Sequence, residues 1–515
     1  MCSSDLPAMR LSERLADPAA WRRAQRGRRQ ALEALILMEG EPDVLKRATD
    51  LICAVAEESI WSEHLRGAAF EDERHPEIDF QCAETAMLFA WTARSFGDSL
   101  DSRVTGKLLY EVRRRVFAPF LAHGDYPFMR GRGPRPLAIL SDIVLSALLL
   151  EADAARRNAI LKQALRMLDG AVAARENRLD PLAEQIAETG AITDLCLLLR
   201  KVTRGELDLT EVCPAPDWLD ALLYSWVEGE YFVDPAGRDM RPPVSGQELF
   251  RIGLATGDEA LTALGAMQHR ARKLPSATLT GRLLDMSCAP MLAAEAGKPP
   301  RVKHAATARN RIMLSRFGGM TFAMHTGARR GNAGNLTLFA GKQPILVEIP
   351  ERANLPDIAG HGQLSGPDAF DGSAAFDADI CPADFEVQPD RELMSVDLTR
   401  AWPADANARA CQRTAMVLRR EGMLRVVDAF DLAQGAPVTF HFVTPERPER
   451  LMNGLRLGPV DMSWEGELSA DIAPMNLKFP GGDAGGRPLY DIRLSAAAPV
   501  TRAFFAFNFT LPQGA

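Results

Sequence analysis

Residues 316–349 read RFGGMTFAMHTGARRGNAGNLTLFAGKQPILVEI, and this stretch carries the clearest strand pattern in the chain. Runs of apolar and β-branched residues alternate here with glycine-containing turns, which is typical of short antiparallel strands. We therefore predict strands over residues 320–326, 335–339 and 345–348. The loop between the first two strands reads ARRGN over residues 328–332.

Strand signals continue toward the C-terminus. Residues 411–419 and 423–431 flank the turn Arg420-Glu421-Gly422 and predict a long hairpin. Further strand-length apolar runs cover residues 438–444 and 503–509. We predict an antiparallel β-sandwich domain over residues 301–515.

Residues 18 to about 275 show apolar residues at three- and four-residue spacing, which predicts helices. Gly97 ends one predicted helix, Asp101 precedes a second, and Asp142 is interpreted as the N-terminal cap of a third. Helices of similar length joined by short loops favour stacked antiparallel pairs, as in an α/α toroid over residues 18–300. A superhelical repeat array would also fit, although no fixed period is visible. The predicted fold class is multidomain α+β, with an N-terminal α/α toroid followed by a C-terminal antiparallel β-sandwich.

Bulk composition excludes few classes of function. The chain has 515 residues, of which 47% are apolar and 25% charged, as in ordinary globular proteins. No run of 18 apolar residues is present, so no membrane span is expected. The net charge of −8 argues against a nucleic-acid partner, while an acidic glycan remains possible because local arginines decide that contact. None of the eight cysteines forms a Cys-x-x-Cys motif, and those at 53, 82 and 196 are expected to be buried free thiols. The oligomeric state is left open.

The first residues, MCSSDL, lack the apolar run of a signal peptide and look like translated sequencing-adapter DNA. We expect residues 1–17 to be non-native or disordered. The compartment is therefore left open by the sequence.

Several segments together resemble the heparinase II/III-like polysaccharide lyases, across roughly residues 30–460. They include LICAVAEESIWSEH at 51–64, Tyr231-Phe232 with Asp234-Pro235, and the turn Gly360-His361-Gly362-Gln363. The resemblance implies a toroid followed by a sandwich, a periplasmic or secreted protein, and β-elimination on a uronic-acid polysaccharide. That chemistry needs a neutralised carboxylate, a base that removes the α-proton, and an acid for the leaving oxygen.

The resemblance places other residues at the family's catalytic positions. The family's asparagine segment falls on PRPLAILSD at 134–142, and its tyrosine falls near Glu184. Its loop histidines fall on Ala328 and Arg330, and an aspartate that binds zinc in some members falls on Glu348. One remaining carboxylate cannot hold zinc, so we expect no metal and no cofactor.

Replacement chemistry would draw on polar residues of the same segments. The candidate catalytic residues are His325 and Tyr231, to move the proton, and Glu184. The candidate substrate-binding residues are Arg132, Arg135, Arg329, Arg330, Asn332 and His361. A structural alternative stands beside each role: His325 as a satisfied structural histidine, Tyr231 as a packing residue, and the others as solvated side chains.

Three functions are therefore open. The first is a heparinase II/III-like lyase acting on an acidic polysaccharide or oligosaccharide. The second is a catalytically inactive relative that binds the glycan. The third is a glycoside hydrolase on the toroid, with a carboxylate pair such as Glu184 and Asp142.

Overall fold

The computed structural model describes residues 17–38, 43–63, 77–123, 126, 128, 135–175, 181–210, 214, 216–234, 240–307, 311–326, 332–349, 353–364, 381–479 and 486–512. In the N-terminal part, helices predominate. They are α1 (Pro18–Leu37), α2 (Val44–Ala56), α3 (Phe80–Phe96), α4 (Ser102–Val112), α5 (Ala118–Ala122), α6 (Pro136–Leu150), α7 (Ala154–Arg175), α8 (Leu182–Val202), α9 (Pro216–Tyr224), α10 (Gly246–Thr256), α11 (Glu259–Ala271) and α12 (Leu279–Ala294). A π-helical segment, Arg113–Phe117, joins α4 to α5, and a small hairpin of β1 (Trp226–Glu228) and β2 (Tyr231–Phe232) follows α9.

Helix ends agree with two of the predicted caps. Gly97 follows α3 with φ 46°, a left-handed conformation that glycine adopts at little cost. The side chain of Asp101 accepts a hydrogen bond from the Arg103 backbone N–H at 2.8 Å and so caps α4.

Helices α3, α6, α8, α10 and α12, here called the inner helices, pack each against the next. Gly190 of α8 contacts Glu248 of α10, and Asp194 further along α8 pairs with Arg251 further along α10. These two helices therefore run in the same direction. The series closes where the indole N–H of Trp91 on α3 donates to Thr280 Oγ1 on α12 at 3.1 Å.

The inner helices are buried on several faces, so some of their polar residues lie in the interior. Arg251 donates from Nε to Asp194 Oδ1 at 2.7 Å and also pairs with Asp285. Asp142 is 3% exposed and lies in the middle of α6. The interpretation of Asp142 as an N-terminal cap is therefore wrong. The helix begins earlier, at Pro136, whose missing N–H is no loss in the first turn.

The described residues of the C-terminal part form three antiparallel sheets. The five-stranded sheet contains β3 (His304–Thr307), β4 (Ile312–Phe317), β5 (Met320–His325), β6 (Leu336–Ala340) and β7 (Gln343–Leu346), in that order. The four-stranded sheet has the order β17 (Leu468–Phe479), β18 (Arg487–Ala496), β13 (Val438–Thr444) and β8 (Pro356–Ile358). The eight-stranded sheet has the order β14 (Glu449–Leu451), β15 (Gly454–Leu457), β16 (Val460–Glu465), β19 (Val500–Thr510), β12 (Met423–Ala436), β11 (Ala408–Leu418), β10 (Arg391–Asp397) and β9 (Ala383–Val387).

An aromatic core joins the eight- and four-stranded sheets. The ring of Phe440 on β13 lies 5.1 Å from Phe505 and 4.9 Å from Phe507 on β19. The five-stranded sheet continues beside β13, because the Val347 N–H donates to the Val443 carbonyl at 3.0 Å. Burial of these faces supplies the main stabilisation of this part.

One face of the five-stranded sheet packs against the helical part. Its register places Ile312 opposite His325 and Leu314 opposite Ala323, so these residues share a face. Val227 and Val233, around the β1–β2 hairpin, belong to the same apolar cluster as Ile312, Leu314 and Ala323. We call this contact the junction.

The prediction of helices first and antiparallel sheets second is confirmed. The long hairpin is present as β11 and β12, in which Leu418 faces Met423 across the turn that contains Gly422. The strand predicted at 345–348 lies slightly earlier, as β7. The domain limits 18–300 and 301–515 remain predictions. No helix within the described ranges is long and apolar enough to span a bilayer.

Candidate junction site

The end of β5 places His325 at the junction. His325 Nε2 lies 2.6 Å from Glu348 Oε2, and the two residues are 2% and 7% exposed. The pair links β5 to the segment that follows β7. A histidine and a carboxylate this close, and shielded from water, form a strong ion pair when both are charged.

Electrostatics favours the charged form of both partners. Burial opposes the charge on His325, but Glu348, its hydrogen bond and the nearby Asp234 together raise the pKa of His325 above its ordinary value. Burial likewise opposes the charge on Glu348, but His325 and the amides of Asn332 and Asn335 together lower its pKa. The surroundings of His325 therefore favour the imidazolium over the neutral ring.

Two buried side chains hold the described residues that follow Asn332. Asn354 donates from Nδ2 to the Leu336 carbonyl at 2.7 Å and to the Val347 carbonyl at 2.9 Å. Arg413 donates from Nη1 to the carbonyls of Gly334 and Asn354. Its Nε and Nη2 donate to the two carboxylate oxygens of Asp428. The support from Arg413 and Asp428 comes from the eight-stranded sheet and holds Gly334 in place.

The helical part contributes Asp234 and the start of α8. The Leu182 N–H donates to Asp234 Oδ1 at 2.9 Å, so Asp234 caps α8 from a distant part of the chain. Asp234 directly follows Val233, which belongs to the apolar cluster of the junction, so the first turn of α8 lies toward the junction. Glu184 is in this first turn and is half-buried. From across the junction, Met240 Sδ accepts a hydrogen bond from the Glu348 N–H at 3.4 Å.

Tyr231 lies at the same junction, within an aromatic cluster. Its ring centroid is 5.2 Å from Phe339 and 6.0 Å from Phe479, and the Arg241 guanidinium lies 5.8 Å from it. Three neighbours around one ring give Tyr231 a packing role between the two parts of the chain.

The candidate substrate-binding residues fall in different places. Asn332 is buried beside Glu348. His361 is exposed, in a turn whose Gln363 donates to the Ala333 carbonyl at 2.8 Å and so reaches the Asn332 loop. Arg135 lies at the start of α6, against Phe80. The remaining three, Arg132, Arg329 and Arg330, lie outside the described residues.

The structure thus brings His325, Tyr231 and Asn332 to the junction and turns the start of α8 toward it. Residues that the sequence did not single out, Asp234, Asn354 and Arg413, hold this arrangement. Their partners are distant in sequence, so no local pattern marks them. Within the described ranges, no three His, Cys, Asp or Glu side chains come together as a metal site.

Comparison with solved structures gives a consistent result. The chain superimposes on heparinase III with a TM-score of 0.64 at 10% identity, covering 95% of this chain and 77% of that one. On heparan sulfate lyase HepC from Pedobacter heparinus it superimposes with a TM-score of 0.64 at 10% identity, covering 100% of this chain and 79% of that one. On the chondroitin AC lyase of Streptomyces coelicolor A3 in complex with chondroitin sulphate the TM-score is 0.58 at 11% identity, with 96% of this chain and 75% of that one covered.

No protein-family model and no curated protein sequence matches the chain. The comparison therefore rests on structural similarity alone. Sequence identities this low establish the fold and leave the activity open. The chain has the fold of the polysaccharide lyases, in a divergent form.

Proposed function

We propose that this protein binds an acidic polysaccharide with the scaffold of a lyase and does not cleave it by β-elimination. The single observation that carries the proposal is the buried ion pair of His325 with Glu348. A base for the α-proton must be neutral and reach the sugar. His325 is paired with Glu348, which favours its charged form, and is 2% exposed, so it is suited to neither condition.

The proposed architecture is an α/α toroid followed by a β-sandwich, over residues 18–300 and 301–515. The return contact of α12 on α3 supports a closed arrangement of helix pairs. The aromatic core between the eight- and four-stranded sheets supports a sandwich. Lyases of this fold include enzymes named for heparan sulfate and chondroitin, which supports an acidic glycan as the ligand here.

β-Elimination is the second candidate function. One observation favours it: the start of α8, with Glu184, is turned toward the cluster that contains His325 and Asp234. Candidate groups from both parts of the chain thus come to one junction. In this version His325 would act as an imidazolium that donates a proton, and the base would be another group.

A panel of heparan sulfate, chondroitin sulfate and alginate tests the two candidates together, with dextran as the neutral control. We expect saturable binding of at least one acidic polymer, binding that weakens with salt, and no rise in the ultraviolet absorbance of unsaturated uronate. A rise in that absorbance would replace the binding function with lyase activity. New reducing ends without absorbance would indicate hydrolysis instead.

A further inference from the structure

A cavity of about 500 Å³ lies in the helical part, where α12 closes on α3. Its lining includes Glu33, Phe80, Glu84, Arg135 and Arg282. We call it the seam pocket. Its volume is in the range of roughly 300–1,000 Å³ that is usual for small-molecule sites.

Most arginines around the seam pocket have carboxylate partners. Arg282 Nη2 lies 2.8 Å from Glu33 Oε2 and 3.5 Å from Glu84 Oε1. Arg29 Nη2 lies 2.9 Å from Glu58 Oε2, and Arg26 Nη1 lies 3.1 Å from Glu63 Oε1. The charges of these arginines are thus balanced by carboxylates of the same chain. The side chains of Glu33 and Glu84 are 15% and 25% exposed.

Arg135 differs from the other arginines. Its guanidinium stacks on the Phe80 ring at 4.7 Å, and among the described residues no salt bridge of 4.0 Å or less joins it to a carboxylate. Glu84 lies near enough that Arg135 acts to lower the pKa of that carboxyl, against the larger, raising effect of burial. The backbone of Arg135 has φ 53° and ψ 45°, a left-handed conformation that side chains other than glycine rarely adopt. Pro136 follows directly, and a residue before proline is normally held in an extended conformation. The fold thus holds one guanidinium at the pocket in an unfavourable backbone conformation, which is more common at functional sites than elsewhere.

We propose that the seam pocket binds one acidic sugar residue, whose carboxylate or sulfate pairs with Arg135 and whose hydroxyls donate to Glu33 and Glu84. The proposal rests on the proposed function, since the ligand is a residue of the acidic polysaccharide. A planar guanidinium binds a carboxylate or sulfate through two parallel N–H bonds. Carboxylate oxygens that are partly exposed and point at the same cavity accept the hydroxyl protons of a sugar. The pocket is therefore matched to a molecule that is both anionic and rich in hydroxyls.

The test is calorimetric titration of the full chain with a tetrasaccharide of alternating glucuronate and N-acetylglucosamine. The same tetrasaccharide with its carboxylates reduced to alcohols is the neutral probe, and a sulfated form of that neutral probe separates sulfate from carboxylate recognition. Arg135→Gly removes the guanidinium and also relieves the backbone conformation, so the variant is expected to fold. We expect it to bind the glucuronate probe about 10- to 100-fold more weakly, the loss typical of a charge-assisted hydrogen-bonded pair.

Arg204→Gly is the matched control. Arg204 also has a left-handed φ of 54°, is exposed, and follows the far end of α8, so its substitution removes the same charge from the same backbone conformation. Affinity should not change. Ala34→Trp, at an exposed position of the pocket lining, should weaken binding by filling the cavity without a change of charge.

Unchanged affinity of Arg135→Gly for both anionic probes, or affinity for the neutral probe equal to that for both anionic probes, would overturn the pocket proposal and leave the proposed function standing. If neither the glucuronate nor the sulfated probe binds the wild-type chain and no acidic polymer binds it, both fall together. Binding of the polymers alone, without either tetrasaccharide, would again remove only the pocket.

Discussion

His325 and Glu348 illustrate how a single buried pair can fix the chemistry of a site. Each group would be costly to bury alone as an ion, and each is stabilised by the other. Asp234, Asn332 and Asn335 add to the field around the pair. A side chain that looks like a catalytic base by residue type therefore has surroundings that favour its protonated form.

The stability given by this pair should depend on pH. The pKa of His325 is raised above 6.5, so its contribution is complete below about pH 6.5 and is lost as pH rises through the folded-state pKa. The pKa of Glu348 is lowered below 4.5, so its contribution is complete above about pH 4.5 and is lost as pH falls through the folded-state pKa. Both contributions are present together between these two values.

A double-mutant cycle of His325→Gln and Glu348→Gln, followed by chemical denaturation, measures this dependence. We expect a coupling free energy of about 1–3 kcal/mol near pH 5.5 and a smaller one near pH 9. His304→Gln is the matched single control, because the His304 side chain is 39% exposed in its ion pair with Glu392 and should contribute little. A coupling energy that is equal at the two pH values would contradict the charged pair.

Sequence could identify His325 as a residue of interest, but not the charges that surround it. The strand that carries it was predictable from the run of apolar and β-branched residues over 320–326, which follows the glycines at 318 and 319. Its partner comes from beyond β7, and Asp234 comes from the helical part of the chain. Local patterns specify which face of a strand a side chain occupies, whereas the field at that side chain depends on residues distant in sequence.

At the scale of elements, glycine decides how closely two helices approach. A Cβ atom added at Gly265 of α11 would lie 2.2 Å from the backbone nitrogen of Phe250 on α10. A Cβ at Gly246 would lie 2.2 Å from the backbone nitrogen of His269. Backbone atoms on both sides of the contact cannot move aside independently, so α10 and α11 depend on these glycines for their spacing.

We therefore expect Gly265→Ala to destabilise the protein by about 1–3 kcal/mol, the usual cost of overpacking. Gly170→Ala is the matched control within helix α7, since a Cβ there meets nothing within 4 Å. It should stabilise by about 0.5–1 kcal/mol, because alanine is the better helix former. The free energy of unfolding in urea compares the two, and equal effects would show that the helix contact is not limited by the glycine.

The limits of the β11–β12 hairpin were predictable because one face of it meets solvent, whereas the start of a helix that is buried on nearly all faces was not. The β11–β12 hairpin alternates buried and exposed residues and was located in advance. Helix α6 is apolar around most of its surface, so its start at Pro136 gave no amphipathic signal and Asp142 was mistaken for its cap.

At the scale of the whole molecule, the helical and sheet parts meet through an apolar contact with polar links at its edge. Val227 is fully buried among Ile312, Leu314 and Ala323. Arg316 reaches across to donate from Nη2 to the Trp226 carbonyl at 2.7 Å. The order of helices before sheets could be predicted from the change of periodicity. Which surfaces of the two parts are in contact could not be predicted, because an apolar side chain can pack against many other apolar surfaces.

The apolar contact implies that the two parts stabilise each other. Val227→Asp would place an unpaired carboxylate in the junction, and burying such a charge is costly enough to separate the surfaces. We expect calorimetry to record one main transition for the wild-type chain and two separate transitions for this variant, one for each part. Val202→Asp, at a position that is 65% exposed at the end of α8, is the matched control and should leave the transition unchanged. A single transition that only moves to lower temperature in Val227→Asp would mean that the two parts unfold as one unit even without this contact. The apolar contact at the junction would then not be what couples the unfolding of the two parts.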